Sequence, residues 1–223
     1  MKHYIAIGVD YEIDFVEGGS LAVEGGNEAS KKFIDLLNYK VDDKFFIDEC
    51  ILTKDSHPHN HCSFKPQGLW DWHCVADTVG AAIVDPIIPT LAKNNIPYGV
   101  VAKGQNKDEE NYSAFRFVFK NKDLYSYSMA PKFEPSGNLL EFLRDQEDED
   151  EEFDEIIICG IAGDYCVLET LKAMIDMDPI VYLPGVASID GGKALEDFIK
   201  EKNLRYMTED FVIVRPSSED HSA

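Results

Sequence analysis

The sequence predicts an α/β fold, a single doubly wound domain whose mostly parallel sheet of roughly six strands carries helices on both faces. Short apolar runs that suit buried strands alternate along the chain with amphipathic segments that suit helices. The clearest unit joins the apolar run at residues 156–158 to apolar residues at helical spacing from Val167 to Ile175. Because 223 residues suit one large domain, we expect a single domain over residues 1–223.

The remaining elements follow from the same alternation of patterns along the chain. Strands are predicted at residues 4–9, 45–53, 98–102, 156–158, 179–183 and 211–214. Helices are predicted from Asn27 onward and at residues 81–91, 139–143, 167–175 and 193–201.

Two stretches do not follow this alternation. Residues 112–138 are rich in aromatic side chains and lack a clear period, so we expect an excursion from the sheet with a hairpin at residues 117–127. The acidic run at residues 145–152 is predicted to be a solvated helix end or loop rather than a metal site, because like charges at that density repel and stay hydrated.

The formal net charge of −21 excludes several classes of partner. It repels nucleic acid and anionic membranes, and a large anionic substrate would need a strong local positive patch. Small neutral substrates are accepted more easily, so we predict a small-molecule substrate, with no nucleic acid and no membrane as partner. A homo-oligomer remains compatible with the sequence.

Targeting patterns and cysteine usage indicate the compartment. The sequence has no apolar run of membrane-spanning length and no signal-peptide pattern, so we expect a cytoplasmic protein. The five cysteines are odd in number and form no Cys-x-x-Cys pair, which argues against a disulfide framework and a cysteine-built zinc site. We therefore expect reduced thiols.

Residues with chemical potential recur where predicted strands end. Asp10, Asp55, Lys103 and Cys166 each follow a strand, and parallel strands bring their carboxyl ends to one edge of the sheet. This common edge favours a site over the separate alternatives of a turn aspartate, a solvated lysine and a buried structural cysteine. We expect Cys166 in the first turn of the following helix, where free N–H groups and the helix dipole favour a thiolate.

Asp10, Lys103 and Cys166 together can perform nucleophilic catalysis without a histidine. Asp10 can accept the thiol proton and later give it to a leaving amine. Lys103 can stabilise the thiolate and keep Asp10 ionised before that step. Backbone N–H groups near Ala162 and Cys166 can stabilise an oxyanion.

A second cluster has the composition of a metal site, since four of the six histidines lie between residues 57 and 73. Asp55 and His57 alternate along an extended segment, so both can face one ion, and His73 adds an imidazole from the neighbouring loop. These ligands suit a divalent ion, with Zn²⁺ expected first and Mn²⁺ or Fe²⁺ as alternatives. His61 is a candidate fourth ligand, and a polar loop without metal is the alternative.

These residues resemble the motifs of the isochorismatase-like cysteine hydrolases, and more closely those of their nicotinamidase (pyrazinamidase) branch. The resemblance covers most of the chain. The opening aspartate motif lies at Asp10 with Asp14 and Phe15, and the lysine motif lies at Lys103 and Gly104. The Tyr-Ser-Ala-Phe motif lies at residues 112–115, and the nucleophile motif lies at residues 160–167 with Thr170. Residues 53–64 and 70–81 resemble the metal region of nicotinamidases, which isochorismatases proper usually lack.

The resemblance implies a thioester route in which Cys166 attacks a carboxamide, ammonia leaves and water releases nicotinate, in NAD salvage. It also implies a cis peptide bond between Ile161 and Ala162 that turns N–H groups toward the oxyanion, and a metal ion that holds the pyridine nitrogen. The ring contacts that it implies are Phe15, Trp70 and Tyr165.

Three features depart from the family pattern. Glu12 stands where glutamine is common, Trp72 stands where a proline commonly precedes the metal histidine, and residues 116–136 form an insertion. A metal-containing nicotinamidase is the leading hypothesis. Another amidohydrolase of the superfamily, acting on a ureido or carbamoyl substrate, is the enzyme alternative, and a non-catalytic metal-binding or scaffolding protein is the alternative outside enzymes. The metal cluster favours the first, because a pyridine nitrogen offers a lone pair to a metal ion.

Overall fold

The structure is a computed structural model that describes residues 2–114 and 155–216. Its strands are β1 (Tyr4–Val9), β2 (Lys40–Val41), β3 (Lys44–Phe45), β4 (Glu49–Asp55), β5 (Tyr98–Lys103), β6 (Glu155–Ile161), β7 (Ile180–Ala187), β8 (Arg205–Met207) and β9 (Ile213–Val214). Its α-helices are α1 (Gly26–Asn38), α2 (Ile87–Asn94), α3 (Leu168–Ala173) and α4 (Lys193–Lys202). Shorter helical turns lie at Ile13–Phe15, Gly163–Val167 and Ile175–Met177.

Seven of the described strands form one sheet in the order β5-β4-β1-β6-β7-β8-β9. Neighbouring strands are parallel from β5 through to β8, and only β9 pairs antiparallel, with β8. This confirms the predicted α/β fold with a mostly parallel sheet. The sheet has one strand more than the six predicted, and the additional strand is β8. Its three residues are too few to give a periodic signal.

The core lies on both faces of this sheet because consecutive strand residues point to opposite sides. Ile5, Ile7 and Val9 of β1 belong to a buried cluster that includes residues of α3 and α4, whereas Ala6 belongs to the cluster that includes residues of α1 and α2. Helices therefore cover both faces, as a doubly wound arrangement requires.

The expected helix at residues 81–91 is wrong over its first half, because α2 begins only at Ile87. Pro86 has no N–H group to donate and disfavours helical geometry at Asp85. The N–H group of Thr90 donates to the Pro86 carbonyl at 2.9 Å, so helical bonding starts at that point. The predicted strand at residues 45–53 is likewise divided, since β3 ends at Phe45 and β4 begins at Glu49.

Several expectations fall outside the described residues. They are the insertion at residues 116–136, the hairpin at residues 117–127, the helix at residues 139–143 and the acidic run at residues 145–152. The single-domain assignment stays a prediction. Within residues 2–114 and 155–216, no helix has the length and apolar character needed to cross a membrane.

Candidate active site

The carboxyl ends of four neighbouring strands meet at one edge of the sheet. Asp10 directly follows β1, Asp55 is the last residue of β4, and Lys103 is the last residue of β5. Asp55 is in register with Lys103 across the β4–β5 pair. The turn that follows β6 brings Cys166 to the same edge, so all four side chains lie together.

Lys103 occupies the centre of this group. Its Nζ atom lies 2.8 Å from Asp10 Oδ2, 2.6 Å from Asp55 Oδ1 and 3.6 Å from the Sγ atom of Cys166. All four side chains are buried, with Cys166 the most exposed at 5%. We call Asp10, Lys103 and Cys166 the nucleophile side of the site.

Burial and charge pairing oppose each other on the nucleophile side. Burial raises the pKa of the Cys166 thiol well above its usual range although Lys103 opposes this, so the thiol is protonated at rest. Burial also raises the pKa of Asp10 against the attraction of Lys103. For Lys103, burial acts to lower the pKa, but Asp10 and Asp55 outweigh it, raise the pKa and keep the ammonium ion. A base must therefore remove the thiol proton, which is the role predicted for Asp10.

Thr53 holds Asp10 in place and was not singled out from the sequence. Its Oγ1 atom donates to Asp10 Oδ1 at 2.6 Å, and the Asp10 N–H group donates to the Thr53 carbonyl at 3.1 Å. Asp10 has a φ of 52°, in the left-handed region that few side chains adopt, and these two bonds hold it there. The signal available in the sequence was alternation, which puts Thr53 on the same face of β4 as Asp55.

Cys166 lies in a π-helical turn, Gly163–Val167, which runs directly into α3, so Cys166 lies in the first helical turn after β6 as expected. The Ala162 carbonyl accepts hydrogen bonds from the N–H groups of Tyr165 and Val167, both at 3.1 Å. The second of these bonds spans five residues and makes the turn wider than an α-helical one. The peptide bond between Ile161 and Ala162 is cis.

Asp55, His57 and His73 form what we call the metal side, with one ligand atom from each within 4.8 Å of the others. His57 Nδ1 lies 2.9 Å from the Gly104 carbonyl, and His73 Nδ1 lies 2.7 Å from the Asp71 carbonyl. Because a carbonyl only accepts, each Nδ1 carries a proton, and each Nε2 offers a lone pair when its ring is neutral. Among the described residues, the buried Nε2 of His57 has no hydrogen-bond partner, which fits a divalent ion beside a carboxylate.

The electrostatics of the metal side also fit an ion. Burial acts to raise the pKa of Asp55, but Lys103 and His57 outweigh it and hold the pKa below its usual range. Burial lowers the pKa of His73 and keeps that ring neutral. For His57, burial acts to lower the pKa, but Asp55 raises it overall. A metal ion binds the ionised carboxylate and neutral imidazoles, so it would replace a proton on His57.

His61 lies beside the metal side rather than within it. Its ring stacks on that of His57 with centroids 4.1 Å apart. Its Nδ1 lies 2.7 Å from Ser63 Oγ, and its Nε2 lies 3.1 Å from the Glu109 carbonyl. Both ring nitrogens are thus engaged, and the alternative cluster that includes His61 is the one with His57 and Glu110. A fourth-ligand role for His61 stays a prediction.

Gly104 is required by the position of His57. It has a φ of 66°, and a Cβ atom added there would lie 2.4 Å from His57 Cε1. Any side chain at this position would therefore displace the imidazole that Gly104 itself holds through its carbonyl oxygen.

Two further carboxyl groups hold the backbone around the metal side. Glu12 Oε2 accepts the N–H group of Asp55 at 2.7 Å. Asp14 accepts the N–H groups of Cys74 at 2.7 Å and of Ser20 at 3.1 Å, which joins two loops. Burial, together with the neighbouring carboxylates, raises the pKa of Glu12 well above its usual range, so this group is uncharged. The hydrogen bonds of Glu12 and Asp14 depend on which backbone N–H groups lie close to them in the folded chain, and the sequence does not indicate these distances.

A pocket opens above both sides of the site. Its empty space of about 390 Å³ includes solvent at its open mouth. Trp70 and Tyr165 meet edge to face with ring centroids 5.0 Å apart. The predicted ring contacts Phe15, Trp70 and Tyr165 line the pocket, together with Leu21, Tyr112 and Ile189, which were not selected as contacts from the sequence.

A buried thiol beside an ammonium group and a carboxylate, at the carboxyl edge of a mostly parallel sheet, places this protein among the α/β cysteine hydrolases. The chain is 32% identical over 180 residues to the nicotinamidase of Escherichia coli (strain K12), covering 73% of this chain and 72% of that protein. It is also 32% identical over 168 residues to the nicotinamidase/pyrazinamidase of Mycobacterium tuberculosis, covering 74% of each. The chain belongs to the nicotinamidase family, a branch of the isochorismatase-like hydrolases.

Structural comparison agrees on the fold. Pyrazinamidase of Pyrococcus horikoshii, solved in complex with zinc, superposes with a TM-score of 0.68 at 24% identity. The superposition covers 92% of this chain and 99% of that protein. No family model matches the chain.

Proposed function

We propose that this protein is a metal-containing nicotinamidase, an amidohydrolase that converts nicotinamide to nicotinate and ammonia. The observation that carries the proposal is the position of Lys103, which contacts Asp10 at 2.8 Å and lies 3.6 Å from the Cys166 sulfur beneath the pocket. The nicotinamidases to which the chain is related support the choice of substrate. They do not favour the ureido or carbamoyl alternative.

The first half of the reaction uses the whole nucleophile side. Asp10 accepts the proton of the Cys166 thiol, and the sulfur attacks the carboxamide carbon while Lys103 stabilises the thiolate. Backbone N–H groups near Ala162 and Cys166 stabilise the oxyanion of the tetrahedral intermediate. Asp10 then gives its proton to the amide nitrogen, the C–N bond breaks, and ammonia leaves a thioester on Cys166.

Water completes the cycle with the same groups. Asp10, again ionised, takes a proton from water as the water oxygen bonds to the thioester carbon. The C–S bond breaks, nicotinic acid leaves and ionises in water to nicotinate, and the Cys166 sulfur recovers its proton from Asp10. The raised pKa of Asp10 suits this alternation, because a group that takes and gives a proton works best when its pKa is nearer the operating pH.

Asp55, His57 and His73 would hold one divalent ion, with zinc as the first candidate. The Nε2 of His57, which is buried without a hydrogen-bond partner among the described residues, and the zinc complex of the Pyrococcus horikoshii protein support this assignment. When bound, the ion supplies a Lewis-acid position for the lone pair of the pyridine nitrogen. Because Asp55 and His73 line the same pocket as Cys166, substrate orientation and attack would take place in one cavity.

Phe15, Trp70 and Tyr165 would confine the pyridine ring, since aromatic side chains surround a flat ring with large apolar area. A reaction that consumes nicotinamide and yields nicotinate belongs to NAD salvage. All five cysteines are free, which suits a reducing compartment such as the cytoplasm.

Ammonia release from a panel of small amides tests the proposal. The panel contains nicotinamide, pyrazinamide, benzamide and an N-carbamoyl amino acid, each measured before and after treatment with a chelator. We expect nicotinamide to be hydrolysed fastest and the chelator to abolish that activity until a divalent ion is restored. Preferential hydrolysis of the carbamoyl substrate would instead support the alternative.

A further inference from the structure

The segment that follows β7 contributes one apolar side chain to the pocket. Ile189 lines the same cavity as Ala162, Tyr165 and Cys166. Its side chain is 50% exposed, so it stands at the mouth of the pocket rather than in the core. The reaction scheme gives Ile189 no part, and the motifs of the sequence do not include it.

The position of Ile189 is set by the turn that carries the nucleophile. Asp164 Oδ1 accepts the N–H group of Ile189 at 3.0 Å, and Asp164 Oδ2 accepts the N–H group of Asp190 at 3.1 Å. Ser188 also packs closely against this turn, because a Cβ atom added to Gly163 would lie 2.1 Å from Ser188 Oγ. The same π-helical turn therefore places both the sulfur of Cys166 and the side chain of Ile189.

Asp190, the next residue, directs its side-chain bonds elsewhere. Its carboxylate accepts the N–H groups of Gly192 and Ala194, both at 2.8 Å, at the start of α4. Asp164 and Asp190 thus each accept two backbone N–H groups, but only Asp164 bonds to the backbone of Ile189. Asp190 provides a matched control for Asp164.

We infer that Ile189 is a specificity-determining residue that limits which ring substituents can approach Cys166, and that Asp164 is the positioning residue that fixes Ile189 in place. The inference rests on the proposed function for its substrate class, the heteroaromatic carboxamides. An unsubstituted ring passes this part of the mouth, whereas a ring that carries an additional alkyl group meets the Ile189 side chain. Such pockets discriminate through steric exclusion of a few atoms.

The first test compares nicotinamide with 5-methyl- and 6-methylnicotinamide. In Ile189→Ala, the ratio of kcat/KM for at least one methylated amide to that for nicotinamide should rise about tenfold, the scale on which one methyl group is discriminated. Val212→Ala removes an equally exposed apolar side chain that is not part of the pocket lining, so its ratios should match the wild type. Ratios within about twofold of the wild type for both amides in Ile189→Ala would overturn the inference.

The second test asks whether Asp164 acts through Ile189. Asp164→Ala should shift the same ratio in the wild-type background and leave it unchanged when combined with Ile189→Ala, because the two effects share one side chain. Asp164→Asn keeps one acceptor oxygen and should give a smaller shift in the ratio. This variant replaces Asp164→Ala in the test if Asp164→Ala does not fold. Asp190→Ala should leave the ratio unchanged. Equal shifts from Asp164→Ala in both backgrounds would contradict the positioning role.

Alkylation of Cys166 separates this inference from the proposed reaction, because it needs no amide turnover. Iodoacetamide and its bulkier N-phenyl derivative are compared by mass spectrometry of the Cys166 peptide. Ile189→Ala should raise the relative rate of the bulkier reagent several-fold. If the protein shows that result but does not hydrolyse nicotinamide, the proposed function is overturned and the role of Ile189 in limiting access to Cys166 is retained. If the protein is an active nicotinamidase and the relative rates are unchanged, only the role of Ile189 is overturned.

Discussion

The nucleophile side and the metal side share one contact, between Lys103 and Asp55, and differ in how their buried polar atoms are satisfied. On the nucleophile side, Lys103 lies within 2.8 Å of Asp10 and within 3.6 Å of the Cys166 sulfur, so the chain supplies its own partners. On the metal side, the buried Nε2 atom of His57 has no hydrogen-bond partner among the described residues, and its nearest charged partner, Asp55 Oδ2, lies 3.5 Å away. Removing an ion should therefore disturb the metal side and leave the nucleophile side assembled.

The largest effect should come from Cys166→Ala, which removes the proposed nucleophile. We expect kcat/KM for nicotinamide to fall by about 10⁴-fold or more, because removal of one member of a catalytic unit disables the whole unit. Metal content should stay at the wild-type level, since the thiol is not one of the three proposed ligands, Asp55, His57 and His73. Steady-state kinetics and metal analysis on the same sample check this, and substantial residual turnover would remove Cys166 from the mechanism.

Asp10→Asn should be nearly as damaging to kcat. The amide keeps the shape of the side chain and the contact with Thr53 but cannot accept the thiol proton, and we expect a loss of about 10³-fold. Thr53→Val and Thr53→Ser form a matched pair. Valine removes the hydroxyl that donates to Asp10 at 2.6 Å, whereas serine keeps it and should restore most of the activity. A wild-type rate in Asp10→Asn would make Asp10 a structural residue.

His57→Ala should break the metal side. It removes the buried Nε2 atom, so we expect the purified protein to lose its bound ion and at least about 100-fold in activity, because small errors in substrate placement cost much rate. His61→Ala is the control, because both nitrogens of that ring already have other partners. It should retain most of the metal. Equal loss of metal from both variants, measured by elemental analysis, would assign His61 to the ion as well.

Acidification should release the metal ion from the metal side. Asp55 raises the pKa of His57 above its usual 6.5 in the metal-free protein although burial opposes this, so protons compete for Nε2 as the pH falls. While His57 is the titrating ligand, affinity should fall about tenfold per pH unit, because one proton displaces one ion. His73, whose pKa burial lowers, should add to the slope only at lower pH. Chelator competition across the pH range measures the slope, and a flat profile would contradict the ligand assignment.

The smallest effect should come from Glu12→Gln. Burial raises the pKa of Glu12 well above its usual range, so the group is already uncharged, and glutamine can accept the Asp55 N–H group in the same way. Glu12→Leu leaves that N–H group unsatisfied and should lower the free energy of unfolding by about 1–3 kcal/mol. Chemical denaturation of both variants tests this. A glutamine variant as unstable as the leucine variant would mean that Glu12 acts as an anion.

The sequence predicted the elements that follow from periodicity and from the geometry of parallel sheets. Asp10, Asp55 and Lys103 were found because each stands where an apolar run ends, and strand ends share an edge. The helix expected at residues 81–91 was wrong in its first half. The apolar residues of that half suggested a helix, but Pro86 prevents helical geometry before Ile87. The raised pKa of the Cys166 thiol was beyond the sequence, because a sequence does not report how deeply a side chain is buried.

The positioning contacts were beyond the sequence for a different reason. Thr53, Asp14 and Asp164 act through hydrogen bonds to groups that are distant along the chain, and no local pattern marks such bonds. Ile189 lies in a segment without periodicity, and its place in the pocket depends on the turn that Asp164 stabilises. Residue type therefore identified the side chains that react or bind metal, and three-dimensional contacts identified the residues that hold those side chains in place.

The ratio of kcat/KM for nicotinamide to that for benzamide tests the central claim most directly. The two amides have the same shape, and only nicotinamide has a ring nitrogen for the ion that Asp55, His57 and His73 would hold. We predict a ratio of at least about 100 in the metal-loaded protein, because a site built to bind a polar atom rejects the analogue that lacks it. A ratio near one, or full activity on nicotinamide in a protein free of metal, would contradict the account.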